Sequence, residues 1–469
     1  MNLKQLLFTK DDAIVVFNLV CAICGIGTLG MPANFARAGP LYGVLAIVFM
    51  GVTNTYSSIA LSKTMLMAPK SVKTYGDLGD WCMGRFGRYA VVISQMLVCT
   101  LGPTAFLVLG GTMLDSLFPN AFSQTFWIVF MAVMCLPVCL TPTLKEGAGA
   151  ALAGCIGTIV ADIVGVGMLI HGMEGHPSVP SPNVTVEQTA TVFGNLALAY
   201  AAATVIPSLQ RQHRQPERMP QVITITMIIN TLIFIALAGA GYSAVGCQIS
   251  GNLLFSVFPD STGHSSLGMK SDFGAAVMAY LFMQLHVTIA FSVFLFPVFF
   301  TAERLVLGMH KKVNADVSEL PYRASETPKE SAKYSALDEP SNEEGEVVDY
   351  RGAGTTLKYI TLRVVIIVIL VIVAVVLQGK FVDLSDFIGS SCITACCIVL
   401  PIVLYQKKMG SQLPTYERVF GIVIALISAG LGVYSTYKTG KNLFAPESGG
   451  PAFPYCKAKN SMELYYTKP

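Results

Sequence analysis

The sequence predicts an all-α membrane protein of eleven transmembrane helices, and three observations lead there. Hydrophobic residues make up 53% of the 469 residues and charged residues only 13%, against roughly a quarter charged in globular proteins. Long apolar runs recur along the whole chain, and about 20 mostly apolar residues make one bilayer-spanning helix. The runs lack period-two alternation, which argues against a barrel, and an open sheet cannot leave its backbone groups unpaired in lipid.

The apolar runs place spans at 13–38, 40–66, 89–114, 125–140, 148–170, 190–208, 222–245, 273–301, 357–378, 384–405 and 417–437. Residues 1–12 form a short polar start, spans one to eight fill 13–309, a polar segment covers 310–354, spans nine to eleven fill 355–437, and a tail runs over 438–469. With the N-terminus in the cytosol, 23 of the 31 Lys and Arg fall on the cytosolic side, as the positive-inside rule requires. The basic tail (Lys438, Lys441, Lys457, Lys459, Lys468) is the dissenting segment. The sequon Asn183-Val184-Thr185 then lies outside, in the loop after span five, where a glycan can be added. The segment from His310 to Gly354 is rich in Ser, Glu, Pro and Lys and reads as a disordered cytosolic loop. Its Tyr334-Ser335-Ala336-Leu337 fits a loose sorting pattern.

Two spans carry breaks. Span one holds Gly25, Ile26, Gly27, Thr28, Leu29 and Gly30, followed by Met31-Pro32. Glycine costs a helix roughly 1 kcal/mol relative to alanine and proline about 3, so the span is expected to unwind at mid-membrane. The spacing of Gly25, Gly27 and Gly30 also spells GxGxxG, but the dinucleotide fingerprint needs a preceding strand in a soluble βαβ unit, and none precedes it. Span six carries Asn195, Ala199, Tyr200 and Ala203 before Thr204 and Pro207. Broken helices at equivalent positions of a five-plus-five inverted repeat form transporter sites. Amides at the start of the resumed helix suit a substrate carboxylate, and freed carbonyls suit an ammonium. Close helix packing through small residues is the competing reading of these glycines.

With these motifs the chain resembles the amino acid/auxin permease family of the amino acid–polyamine–organocation superfamily. The resemblance rests on the glycine-rich first span with Pro32 and Ala38-Gly39-Pro40, on Tyr75-Gly76-Asp77-Leu78-Gly79 with Phe86-Gly87-Arg88, and on Ala199-Tyr200 through Pro207-Ser208-Leu209-Gln210. Phe387-Ile388-Gly389 and Leu400-Pro401 add to it. It implies a LeuT-type core in the first ten spans, one extra helix and secondary amino acid transport. Sodium-coupled members carry asparagine where this chain has Cys21, a poor ligand for a cation that prefers oxygen. Members with Gly-Gly-His in span six differ from Ala201, Ala202 and Ala203 here, which implies a stiffer break.

Ionisable groups inside spans are rare and usually functional. Asp162 in span five and His286 in span eight are candidates for proton coupling, and the competing reading is that they pin helices together. Cys247 and Cys456 both fall outside and are candidates for a disulfide. The other cysteines read as packing. No nucleophile–base pair or metal-ligand cluster is evident, so neither an enzyme nor a cofactor is expected. The expected partners are an amino acid, protons and the lipid bilayer, with no nucleic acid. Plasma and vacuolar or lysosomal membranes both remain open. So do an uncoupled facilitator of amino acids or of another small amine or acid, and a sensing receptor without net transport.

Overall fold

A computed structural model describes residues 9–69, 71–72, 74–141, 147–309, 354–445 and 451–467. The Tyr334 motif and most of the 310–354 loop lie outside the described residues. Among the described residues no sheet strand forms, only isolated bridges such as Pro182 with Cys456. Among the described residues eight helical stretches are long and apolar enough to cross a membrane, and Gln124–Cys139 is a shorter apolar helix.

The chain opens with α1 (Lys10–Ile23), started by a capping box in which the Thr9 hydroxyl accepts from the Asp12 amide and the Asp12 carboxylate accepts from the Thr9 amide. A single 3-10 turn at Thr28–Gly30 leads into α2 (Met31–Met67). Inside α2, Gly39 takes a φ of +78° and Pro40 follows it. Only glycine adopts that conformation without strain, so the helix bends where the apolar pattern separates spans one and two. The third helix, α3 (Tyr75–Leu117), begins well before the expected 89. A second capping box, Thr74 with Asp77, starts it early, and Gly84 at φ +66° bends it toward the span proper. Then come α4 (Gln124–Cys139) and α5 (Gly147–Gly172).

Span six is two helices, α6 (Val186–Ala199) and α7 (Ile206–Gln212). The following helices are α8 (Met219–Val245), the short α9 (Leu253–Val257), and α10 (Phe273–Ala302) with a π-helical end at Glu303–Leu307. After α11 (Thr355–Val376), span ten is α12 (Phe381–Ile388), a π-helical stretch Gly389–Val399 and α13 (Leu400–Met409); α14 (Thr415–Leu443) closes the series. The longest helix contacts join α2 to α8 and α10 to α5 and α3. Spans one, two, six and seven thus form one group, and spans three, five and eight another. Their shared interior includes Leu19, Met31, Phe234, Phe291 and Leu295.

One polar cluster ties helices together near the residue-303 end of α10. Arg363 on α11 donates from Nε to Glu303 at 2.7 Å and from Nη1 to the carbonyls of Cys139 and Thr141 at 2.8 and 2.6 Å. Its guanidinium also lies over the rings of Phe296, Phe299 and Tyr359. Both charged side chains are essentially inaccessible, at 1% and 0%. Removing one member of such a buried pair costs about 3–5 kcal/mol. Arg363→Met is therefore expected to lower the melting temperature of the purified protein sharply. A thermal scan in detergent that matches wild type would overturn this account of the cluster.

Candidate functional site

Helix α1 ends at Ile23 because nothing beyond it favours continuation. Cys24 is extended, with ψ 96°, and its amide makes the last helical bond, to Val20. Helical hydrogen bonding resumes when Thr28 bonds back to Gly25, through its amide at 3.0 Å and its hydroxyl at 2.9 Å. Between the two, no backbone carbonyl or side chain among the described residues accepts from the amides of Gly25, Ile26 or Gly27. Buried backbone donors are rarely left so; Ile26 and Gly27 are buried and Gly25 is half-buried.

The second break spans Tyr200 to Val205. Helix α6 ends as Tyr200 bonds back to Leu196, and α7 begins with Pro207 in its first turn, where a missing N–H costs nothing. The run Ala201-Ala202-Ala203 does not stiffen the segment into helix; Pro207 stops helical bonding from reaching back across it.

The two breaks meet at glycine. A Cβ built on Gly27 would sit 2.7 Å from Ala199 Cα, and one on Gly30 would sit 2.5 Å from Asn195 Nδ2. Gly27 and Gly30 therefore do serve close helix contact, with Asn34 donating to Asn195 Oδ1 at 2.9 Å beside them. Gly25 has another role. A Cβ there would meet His286 Nε2 at 3.4 Å, ordinary contact distance.

A cavity of about 500 Å³ lies against both breaks. Gly25, Ile26 and Gly27 line it from span one, and Leu198, Ala201, Thr204 and Val205 from span six. Phe106 of α3, His286 and Phe294 of α10, and Ile388 and Ile393 of span ten complete the wall. Phe106 meets Phe294 edge-on at 5.7 Å and His286 at 6.4 Å. Apart from His286, the polar lining is Asn18, Thr204, Ser208 and the Cys21 thiol, with no Asp, Glu, Lys or Arg. Of the residues singled out in the sequence, Thr28, Leu29, Gly30, Asn195, Ala199, Tyr200 and Ala203 sit behind this wall. Tyr200 is packed away, its hydroxyl bonded to Thr231 at 2.8 Å and to the Ile47 carbonyl at 3.3 Å.

The two ionisable candidates flank break one. His286 is buried, with Nδ1 at 3.0 Å from the Gly154 carbonyl. That bond makes Nδ1 the donor and leaves Nε2 facing Gly25. Asp162 is 4% exposed and lies against the Thr28 hydroxyl, and its Oδ1 has no hydrogen-bond partner.

The cavity is open at one end. Two residues of its wall, Ala22 in the last turn of α1 and Ser208 in α7, are exposed. At the other end Arg37 Nη1 meets Asp386 Oδ2 at 2.5 Å, with both side chains nearly inaccessible. Toward the open end, α1 is tied to the α7–α8 connection. Asp12 accepts from Arg218 Nη2 at 2.7 Å and Nε at 3.0 Å, and lies 3.0 Å from His213 Nε2. Burial pushes the Asp12 carboxyl up, but Arg218 and the Thr9 contacts outweigh it and hold it down at about 2. A value below the ordinary 3.8 means the tie contributes fully above that pH and is lost only as pH falls through about 2. It is intact across the physiological range. Sequence reasoning missed both clusters. Arg37, Asp386 and Asp12 stand at the ends of apolar runs, where charges are unremarkable; the signal available was that Arg37 and Asp386 have opposite signs near one membrane face.

Paired broken helices around a central cavity define a helical membrane protein of LeuT-type architecture. Comparison with known proteins agrees. A family described as "Transmembrane amino acid transporter protein" matches residues 13–440, and the chain belongs to that family. It is 29% identical over 243 residues to the Arabidopsis thaliana amino acid transporter AVT1I, covering 50% of this chain and 59% of that relative. With the A. thaliana amino acid transporter ANT1 it shares 22% identity over 435 residues, 90% of each. Among solved structures, MhsT in complex with L-phenylalanine superposes with a TM-score of 0.52 at 12% identity, over 92% of this chain and 98% of that one. An Eremococcus coleocola manganese transporter gives 0.52 at 12% identity, over 93% and 89%.

The glycines make separable predictions. Gly27→Ala drives a methyl into Ala199 backbone and is expected to abolish a monodisperse, folded protein. Gly25→Ala meets only the edge of a side chain and is expected to fold while weakening substrate binding at least about tenfold, the scale for blocking one charge-assisted contact. Size-exclusion profiles with uptake on the same preparations check both.

Proposed function

We propose that the protein is a secondary transporter that moves amino acids by alternating access, driven by protons, through eleven crossings with the N-terminus cytosolic and the C-terminus outside. The observation that carries this reading is the set of three unpaired amides, Gly25 to Gly27, on the wall of the cavity. They offer a carboxylate the donors it needs, while the C-terminal end of α6, with Ala199 beside them, directs carbonyls and a negative dipole end at an ammonium. A zwitterion satisfies both ends. The remaining wall, Phe106, Phe294, Ile388 and Ile393, carries no charge, so an uncharged apolar side chain fits it best; a charged one would be desolvated without a partner. The open end then faces the cytosol, and Arg37 with Asp386 closes the outer path.

His286 and Asp162 stand on either side of break one, so a proton on either group would alter the polarity beside the substrate. Cys21, also on the wall, offers no oxygen to sodium. Asn183 is exposed on the outer side, where a glycan can be carried. Plasma and vacuolar or lysosomal membranes both suit this topology.

The test is uptake of a panel of labelled amino acids into liposomes, with proton and sodium gradients imposed separately. Neutral apolar amino acids are expected to accumulate when the outside is acid, with no response to sodium. His286→Gln and Asp162→Asn are each expected to fold, and at least one is expected to lose accumulation while retaining exchange. Unchanged pH dependence in both variants would remove proton coupling and leave a facilitator. Binding without any flux would remove transport and leave a receptor.

A further inference from the structure

We propose that the C-terminal tail, residues 451–467, is a covalently anchored strap over the outer end of the cavity, and that its Tyr455 is a positioning residue that aims Arg37 at Asp386. The proposal rests on the reading of that ion pair as the outer closure and goes beyond it by adding a third member from a different part of the chain.

The anchor is the disulfide between Cys456 and Cys247, which lies in the 3-10 turn Gly246–Gln248 just after α8. Polar bonds fix the chain on both sides of it. The Asn183 amide donates to the Tyr455 carbonyl at 2.9 Å, and Pro182 bridges to Cys456. Gln248 Nε2 donates to the carbonyls of Asn460 and Glu463 at 3.0 and 2.7 Å, and its Oε1 accepts from the Tyr465 amide at 3.2 Å. Phe453 and Cys456 are buried in an apolar cluster with Met173, Val245 and Met269. This is a docked element held by the loops after spans five and seven.

Tyr455 is the neighbour of the anchored cysteine, and it reaches the closure directly. Arg37 Nε donates to the Tyr455 hydroxyl at 3.1 Å, and the guanidinium carbon lies 5.2 Å from the ring centroid. Those two contacts engage the Nε edge of the guanidinium and hold it beside the ring, and Nη1 is left pointing at Asp386. An arginine side chain has many rotamers, and immobilising one costs conformational entropy. Tyr455 supplies that immobilisation in advance, so the ion pair closes without paying it again. The strap is fastened to α8 and touches the outer half of span one. Asp386 belongs to span ten. Separation of span ten from span one therefore breaks the pair while leaving Arg37 on Tyr455. The disulfide fixes which tail residue stands over Arg37.

The experiment reads which end of the cavity is open, and needs no substrate. A cysteine placed by Ser208→Cys, at the exposed open end, is labelled with a membrane-impermeant thiol reagent from that side, against a background lacking the substitution. Tyr455→Phe keeps the ring and removes the hydroxyl. It is expected to loosen the outer closure, shift molecules toward the other state and slow labelling roughly threefold to tenfold, the scale of one hydrogen bond to a charged group. In the background of Asp386→Asn the same change is expected to add nothing, because the two act as one unit. The pair Cys247→Ser with Cys456→Ser is expected to slow labelling in the same direction. A tail that only packs would lower the melting temperature of these variants and leave labelling at the wild-type rate, and that result from Tyr455→Phe overturns the proposal even if the serine pair fails to fold. Absence of amino acid uptake in the wild-type protein would defeat the proposed function without altering this readout.

Discussion

Backbone amides that have lost their carbonyls inside a bilayer are the constraint on which this molecule is organised. Each such group costs on the order of 2–7 kcal/mol in an apolar setting, which is why spanning segments are almost always unbroken helix. Here Gly25, Ile26 and Gly27 have no backbone or side-chain partner among the described residues, and much of the surrounding structure follows. The cavity lies against them. Helix α6 stops opposite them, so that opposite partial charges face one small volume. Gly27 and Gly30 let the two spans approach closely enough for this to happen.

The glycines show how one motif carries two readings at once. Sequence spacing presents Gly25, Gly27 and Gly30 as alike, and either a helix break or a small-residue contact accounts for them. In the fold the break and the contact coexist, shared unequally among the three: Gly25 borders the cavity, Gly30 presses on Asn195, and Gly27 both borders the cavity and presses on Ala199. No periodicity distinguishes them, because the difference lies in which neighbour each faces.

The fold was largely legible because hydrophobic length is a strong signal. The boundary between spans one and two fell where Gly39 bends α2, and the run read as span six broke near where it was expected. The early start of α3 was not legible from hydrophobicity, since a capping box and not an apolar run begins it. The site was legible only in part. Breaks and intramembrane ionisable groups stand out in one dimension. By contrast, the partners of Arg37, of Arg363 and of Asp12 are 349, 60 and 201 or 206 residues away, and such pairings exist only once helices have packed. The same holds for Tyr200, which looks like a site aromatic until its hydroxyl is found bonded to Thr231 and Ile47.

The bend at Gly39 has a mechanical corollary. Because only the non-helical Gly39, with Pro40 directly after it, separates the two helical arms of α2, the second half of span one and all of span two form a jointed lever about as long as the bilayer is thick on its longer arm. The first half, α1, is a rod of 14 residues that ends at Cys24 and is held at its start by Asp12 against Arg218 and His213. Swinging the rod displaces one short helix; swinging the lever drags a full crossing and everything packed along it. Under the alternating access proposed above, the two ends of the cavity therefore open against unequal loads, and the rod end carries the smaller one.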